Sequence, residues 1–277
     1  MKPSPFEISC PGSLDAAHKA LHENLRGTRI ISGGQSLGPM LNLRLARPSR
    51  LVDVTGLSGL AEIRQTDSHV EIGAAVTHAR IEDGEVPDPI PGMLRHVAAG
   101  IAYRAVRNRG TIGGSLCHAD PAADWVTAMT ALGATLLVRD GSGGAREIPM
   151  SGFMLGAYRT SMAEDEILTT VRVPRHSDRA RWGYYKICRK VGEFADAIAG
   201  FVADPESRVC RVVFGSTGGA PLVSTELAQQ IATTGAVPPL DTVKTVLRDS
   251  GLTLSDVKIH QLAIAHSRAV TEALSDA

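Results

Sequence analysis

The sequence predicts an α+β fold, and three observations carry that prediction. A strand–helix–strand unit stands near the start of the chain, in "TRIIS", "SLGPMLNLRLA" and "RLVDV". Two stretches in the middle, "LAEIRQTDSHVEIGAAV" and "ATLLVRDGSGGAREIPM", read as strand pairs folded back on themselves. After about Arg181 the chain reads as three strands in an antiparallel meander, followed by three helical stretches. With 277 residues, 43% of them hydrophobic, the chain is long enough and apolar enough to build a substantial core.

Each element has a local reason. Ser13 suits the N-cap of a helix that carries Leu14, Ala17, Leu21 and Leu25 on one face. Gly38 and Pro39 would sit in the first turn of the next helix, where proline is tolerated. The first strand pair turns at Thr66-Asp67-Ser68, and Thr77 suits the cap of a short helix, "THARIED". "PIPGMLRHVAAGIAYRAV" keeps helical spacing after its prolines. Asp120 reads as an N-cap, Pro121 as a first helical residue and Gly133 as the stop after Leu132. "DEILTTVRVP" reads as a strand that Pro174 ends. The meander is "RWGYYKICRK", "DAIAGFVAD" and "RVCRVVFGS", the last two joined by the tight turn "PES". The helices are "STELAQQIATT", "LDTVKTVLRD" and "SDVKIHQLAIAHSRAVTEAL".

Charge and cysteines exclude several classes. Lys+Arg and Asp+Glu number 29 each, so the chain lacks the basic excess of a nucleic-acid binder. No apolar stretch approaches the roughly 20 residues of a membrane span. "MKPSPFEISC" lacks the apolar core of a secretory signal. Cys10, Cys117, Cys188 and Cys210 form no zinc or iron–sulfur spacing. The expectation is a reduced, cytoplasmic chain with no metal cluster of its own, in which Cys117 is a buried thiol.

Two glycine pairs carry the functional signal. Gly33-Gly34, with Gln35 and Ser36, lies between a strand and a helix, and Gly113-Gly114 lies a few residues before the expected helix start at Asp120-Pro121. Glycine permits positive φ and close backbone approach. Successive N–H groups in such a turn form an anion-binding concavity, favoured further by a helix N-terminus. Two facing nests would hold a pyrophosphate without lysine or arginine, with Gln35, Ser36, Thr111 and Ser115 adding donors. Most of the 28 glycines need be no more than turn residues. Neither G-x-G-x-x-G nor G-x-x-x-x-G-K-[ST] occurs in a strand-to-helix context, so the pattern alone supports a nucleotide site weakly.

The combination is more specific. "ISGGQSLGPMLNLRLARPSRLVDV", then "RNRGTIGGSLCHADPAADW", then "KICRKVGEFADAIAG" resembles the FAD-binding medium subunit of molybdenum hydroxylases, the xanthine dehydrogenase and aerobic carbon monoxide dehydrogenase family. The resemblance covers nearly the whole chain, in order. It implies a two-part FAD-binding domain of the PCMH type (vanillyl-alcohol-oxidase and MurB-like), with parts at 1–56 and 57–177, and a C-terminal α+β domain at 178–277 with a three-stranded antiparallel sheet. It implies that Ile31, Ser32, Gly33, Gly34, Gln35, Ser36 and Leu37 form the first FAD loop, and Thr111, Ile112, Gly113, Gly114 and Ser115 the second. Ile101 stands at an apolar flavin contact, Asp124 at an acidic cofactor contact, and Leu168 and Lys186 at two further contacts. By the residues alone, Asp124 in a first helical turn, Leu168 in a core strand and Lys186 on a strand surface need no ligand.

This chain departs from the family pattern in places. Trp125 follows Asp124 where a smaller aliphatic is more usual, and Glu193 stands where Asp is common. No carboxylate is adjacent in sequence to Lys186 to orient it.

The implied role is electron transfer. The resemblance implies that a large partner subunit would carry the molybdenum cofactor, a small partner would carry two [2Fe-2S] clusters, and FAD here would be the exit point, in a dimer of three-subunit units. Neither a catalytic side chain nor a resident metal is expected. The competing readings are a self-contained flavoenzyme of the vanillyl-alcohol-oxidase or MurB-like class, and a non-enzymatic assembly protein.

Overall fold

Three main sheets, a two-stranded ribbon of Met154–Gly156 with Arg159–Thr160, and the helices between them make up the described residues, 2–275, of a computed structural model. The first sheet is parallel. Its middle strand, Arg50–Asp53, lies between Thr28–Ile31 and Glu7–Ser9. The strand–helix–strand reading holds, with helix Leu37–Asn42 between the strands but shorter than the expected stretch, and the preceding helix Leu14–His22 is capped as expected: Ser13 Oγ accepts the Ala16 N–H at 3.1 Å. The edge strand Glu7–Ser9 is an addition. It has three residues and an exposed pattern, so no alternation marks it in the sequence.

The second sheet has five antiparallel strands. The two expected hairpins, Ile63–Gln65 with His69–Gly73 and Thr135–Arg139 with Ala145–Pro149, are joined by Ile167–Pro174, which pairs with one strand of each. Val70, Ile72, Leu136, Val138, Val171 and Val173 alternate along these strands and belong to one core. Helix Asp124–Leu132 belongs to the same core, and all of its residues are buried. Such a helix has an apolar environment on every side. Its second wall is the third sheet.

That third sheet runs Arg181–Ile187, Ala197–Asp204, Val209–Gly215, Leu222–Val223. The expected meander is present, but the sheet has four strands where three were predicted. The fourth has only two residues, too few to show a period. Ile198 and Val202 point to the core of the buried helix, whereas Ala197, Ala199 and Phe201 point to a core built with helices Thr225–Thr234, Leu240–Arg248 and Asp256–Ser275. Burial on both faces explains why the strand reads as an unbroken apolar run.

Two expected helices are corrected. The stretch after Pro91 does not form one helix but two, Met93–Ala99 and Arg104–Arg107, interrupted at Gly100-Ile101-Ala102. The helix expected from Asp120-Pro121 starts at Asp124, with Ala123 as its cap residue. Asp120 does act as a cap-like acceptor, but for a turn: its carboxylate takes the Ala122 N–H at 2.9 Å. Among the described residues no helix is long and apolar enough to cross a membrane.

Candidate cofactor site

The two glycine pairs, 80 residues apart in the chain, meet in space. Ser32 and Thr111 share a hydrogen bond between hydroxyls at 3.0 Å. Gly33 lies against the other loop so closely that a Cβ there would sit 2.1 Å from the Arg109 carbonyl oxygen. Gly34 has φ +70, a conformation that disfavours any side chain, and it turns the chain out of strand Thr28–Ile31 into helix Leu37–Asn42. The backbone N–H groups of Gly33, Gly34, Gln35 and Ser36 have no acceptor among the described residues. The Gln35 side chain folds back, donating to the Gly33 carbonyl at 2.9 Å, so it braces the loop.

The second pair is built differently from the expectation. Gly113 and Gly114 are not in a free nest: they lie in the first turn of helix Ile112–His118. Thr111 caps that helix, its hydroxyl accepting the Gly114 N–H at 3.0 Å. Ile112 and Gly113 donate to the carbonyls of Val76 and Ala74 at 3.0 and 2.9 Å, and Ser115 donates to Thr111 at 3.0 Å. These amides are spent inside the protein. The Ile112 side chain is fully buried in the main core. What this loop offers is its close backbone and the Ser115 hydroxyl.

A second group of predicted residues gathers around Lys186. Its Nζ donates to Asp124 Oδ2 at 3.0 Å and to the Gly100 carbonyl at 2.7 Å, so the orienting carboxylate comes from a distant helix instead of a sequence neighbour. Tyr184 donates to the other Asp124 oxygen at 2.9 Å. Burial pushes the Asp124 carboxyl up, and the Lys186 ammonium works against that. Burial, then the charge of Asp124, pushes the Tyr184 phenol well above its usual range. Ile101, next to Gly100, forms a bridge with Gly192.

The two groups are linked through Trp125. This fully buried residue, beside Asp124, donates from its indole to His78 Nδ1 at 3.0 Å, and His78 donates its backbone N–H to Gly110, just before Thr111. Burial, with a contribution from Arg107, holds the His78 imidazole down to about 4, so it is a neutral acceptor at physiological pH. The unusual tryptophan is thus a strut behind the second loop.

Leu168 belongs to neither group. It is 4% exposed and packs in the main core, which accounts for it without a ligand. Cys117 is exposed as a residue, yet burial of its sulfur pushes the thiol up to about 12, in keeping with the expected buried thiol. The His118 ring packs against Tyr158, with centroids 5.2 Å apart. Sequence reasoning missed Tyr184, His78 and Arg107. The period of two along Arg181–Ile187 carries a signal for the first, because it puts Tyr184 on the face of Lys186.

The donors in the first loop suit an anionic pyrophosphate, since they are neutral N–H and O–H groups with no carboxylate among them. Residues 4–176 match the family model described as the FAD binding domain in molybdopterin dehydrogenase. The chain belongs to this family. It is 32% identical over 225 residues to caffeine dehydrogenase subunit beta of Pseudomonas sp. (strain CBB1), a match covering 80% of this chain and 76% of that one. It is 35% identical over 197 residues to the carbon monoxide dehydrogenase medium chain of Hydrogenophaga pseudoflava, covering 71% and 68%. Among solved structures, quinoline 2-oxidoreductase from Pseudomonas putida 86 superposes with a TM-score of 0.88 at 31% identity, covering 100% of this chain and 99% of that one. Reconstituted CO dehydrogenase from Oligotropha carboxidovorans superposes with a TM-score of 0.91 at 28% identity, covering 100% of both chains. The molecule is therefore an FAD-binding oxidoreductase subunit of the medium-chain type.

Proposed function

We propose that this chain holds FAD across the two loops and serves as the electron exit of a molybdenum hydroxylase assembly. The observation that carries the reading is the first loop: four backbone amides without acceptors, Gly33 to Ser36, set against a second loop that leaves no room for a Cβ at Gly33. Ile31 to Leu37 and Thr111 to Ser115 would hold the pyrophosphate, with the Ser36 and Ser115 hydroxyls adding donors. Ile101 and the Lys186 side chain, oriented by Asp124, would hold the flavin end. Bound FAD supplies a group that takes electrons singly and gives them up as a pair.

The chain's own residues bind and orient that group, and none need act as acid or base. Both oxygens of Asp124 are engaged, one by Tyr184 and one by Lys186, so this buried carboxyl is a structural tie. That arrangement weighs against a self-contained flavoenzyme, which needs a proton-transfer group over the flavin. Among the described residues no three His, Cys, Asp or Glu side chains converge as a metal site. On this reading a small partner with [2Fe-2S] clusters delivers the electrons, and a large partner oxidises the substrate at its molybdenum cofactor. The assembly is a dimer of three-subunit units in the cytoplasm.

The test is turnover. The FAD-loaded chain alone should oxidise no purine, aldehyde or carbon monoxide, and co-expression with the two partners should give oxidation of the assembly's substrate. Robust oxidation by the chain alone would overturn the electron-exit reading in favour of the self-contained flavoenzyme.

A further inference from the structure

The break between helices Met93–Ala99 and Arg104–Arg107 has three consecutive carbonyl oxygens, and a cation takes each of them. Lys186 Nζ donates to Gly100 O at 2.7 Å. Arg107 Nη1 donates to both Ile101 O and Ala102 O at 2.9 Å. Each cation is in turn anchored by a carboxylate. Asp124 holds Lys186, and Glu82 holds Arg107 through two bonds, Nε to Oε2 and Nη2 to Oε1, both 2.8 Å. The Lys186 and Arg107 side chains are only 10% and 11% exposed, so water screens these bonds little. The Arg107 bonds pull Glu82 below the usual carboxylate range.

This grip holds a conformation that the segment would not keep by itself. Ala102 has φ +43, in the left-handed region that costs a residue with a Cβ. The Ala102 carbonyl also faces Gly192, where a Cβ would lie 2.5 Å from its oxygen, and Ile101 bridges to that same glycine. A planar guanidinium can grip a carboxylate on one edge and two carbonyls on another, whereas an ammonium cannot cover all four acceptors.

We propose that Arg107, anchored by Glu82, is a positioning residue for the cofactor: together with Lys186 it fixes the Gly100–Ala102 segment and so sets how Ile101 meets the bound FAD. The inference rests on the reading that Ile101 lies against the flavin, and it adds a second arm, Glu82–Arg107, that no glycine-loop motif contains. A loosened segment would let Ile101 move and water approach, which would alter both affinity and the flavin's electronic surroundings.

The experiment uses the full chain with FAD and the variants Arg107→Met, Arg107→Lys and Glu82→Gln. FAD affinity is measured by titration, the visible flavin band and midpoint potential by spectroscopy, and folding by circular dichroism. Arg107→Met should weaken FAD by about tenfold, as expected for losing charge-assisted bonds, and shift the band and potential. Arg107→Lys should fall between the parent and Arg107→Met. Should Arg107→Met not fold, Glu82→Gln, which leaves the arginine in place without its ionic anchor, decides by the same measurements. A folded variant with the parent's affinity, band and potential, even one of lower thermal stability, overturns the inference and makes the clamp packing alone. A parent chain that takes up no FAD fails the function reading itself, and the inference falls with it.

Discussion

At Gly33 the whole difference between a turn and a joint between two loops is one hydrogen atom. A methyl group there would meet the Arg109 carbonyl oxygen at 2.1 Å and the Gly110 Cα at 2.7 Å, both backbone atoms that cannot swing aside. Gly33→Ala should therefore push the two loops apart, cost about 1–3 kcal/mol by overpacking and abolish FAD uptake. Thermal melts and a flavin titration check this; parent-like values in both would mean that the loops need not touch. The glycine pairs were legible in the sequence, but their separate reasons were not. Gly34 needs positive φ, as expected, while Gly113 and Gly114 are helical, their amides are already bonded, and Gly113 is a glycine because a Cβ there would sit 2.5 Å from the Ala74 Cβ. A nest and a capped helix start look alike in one dimension, because the acceptors that distinguish them, Ala74 and Val76, lie nearly 40 residues upstream.

The hairpins and the terminal helices were legible element by element, since each carries its own period and its own turn or cap. The helix running from Met93 towards Arg107 was not. Met93, Leu94, Val97 and Ala98 are all buried at helical spacing, and the apolar pattern continues through Ile101, so that Gly100, the C-cap residue, is the only local sign of a break. Lys186 and Arg107 hold the consecutive carbonyls of the break from outside. The same non-locality governs Lys186. Its partner Asp124 sits on the buried helix, and the pair is 10% and 8% exposed. Lys186→Met therefore does more than remove a cofactor contact. It strands a carboxyl that burial already pushes up, at a cost of about 3–5 kcal/mol, so the variant should be markedly less stable. Lys186→Met combined with Asp124→Asn should recover part of that loss, because no unpaired charge is left behind. Chemical denaturation of the two single variants and the double variant reads the coupling; simple additivity would show that the two groups do not depend on each other.

Across the whole molecule, one buried helix ties the parts together. Asp124–Leu132 packs between the five-stranded sheet and the C-terminal sheet, its first residue holds Lys186, and its second, Trp125, braces the second loop through His78. The α+β class and the order of units follow from composition and periodicity, but this arrangement does not, since a helix buried on all sides has no amphipathic signature to read. The candidate site draws on the loop after Thr28–Ile31 in the first sheet, the start of helix Ile112–His118 and Lys186 of the C-terminal sheet. The central claim is that this convergence is a home for FAD, and a direct titration tests it. Purified, folded chain mixed with excess FAD and then desalted should retain one FAD per chain, with a visible absorbance band that disappears when the protein is unfolded. Folded chain that retains no flavin under those conditions would contradict the account.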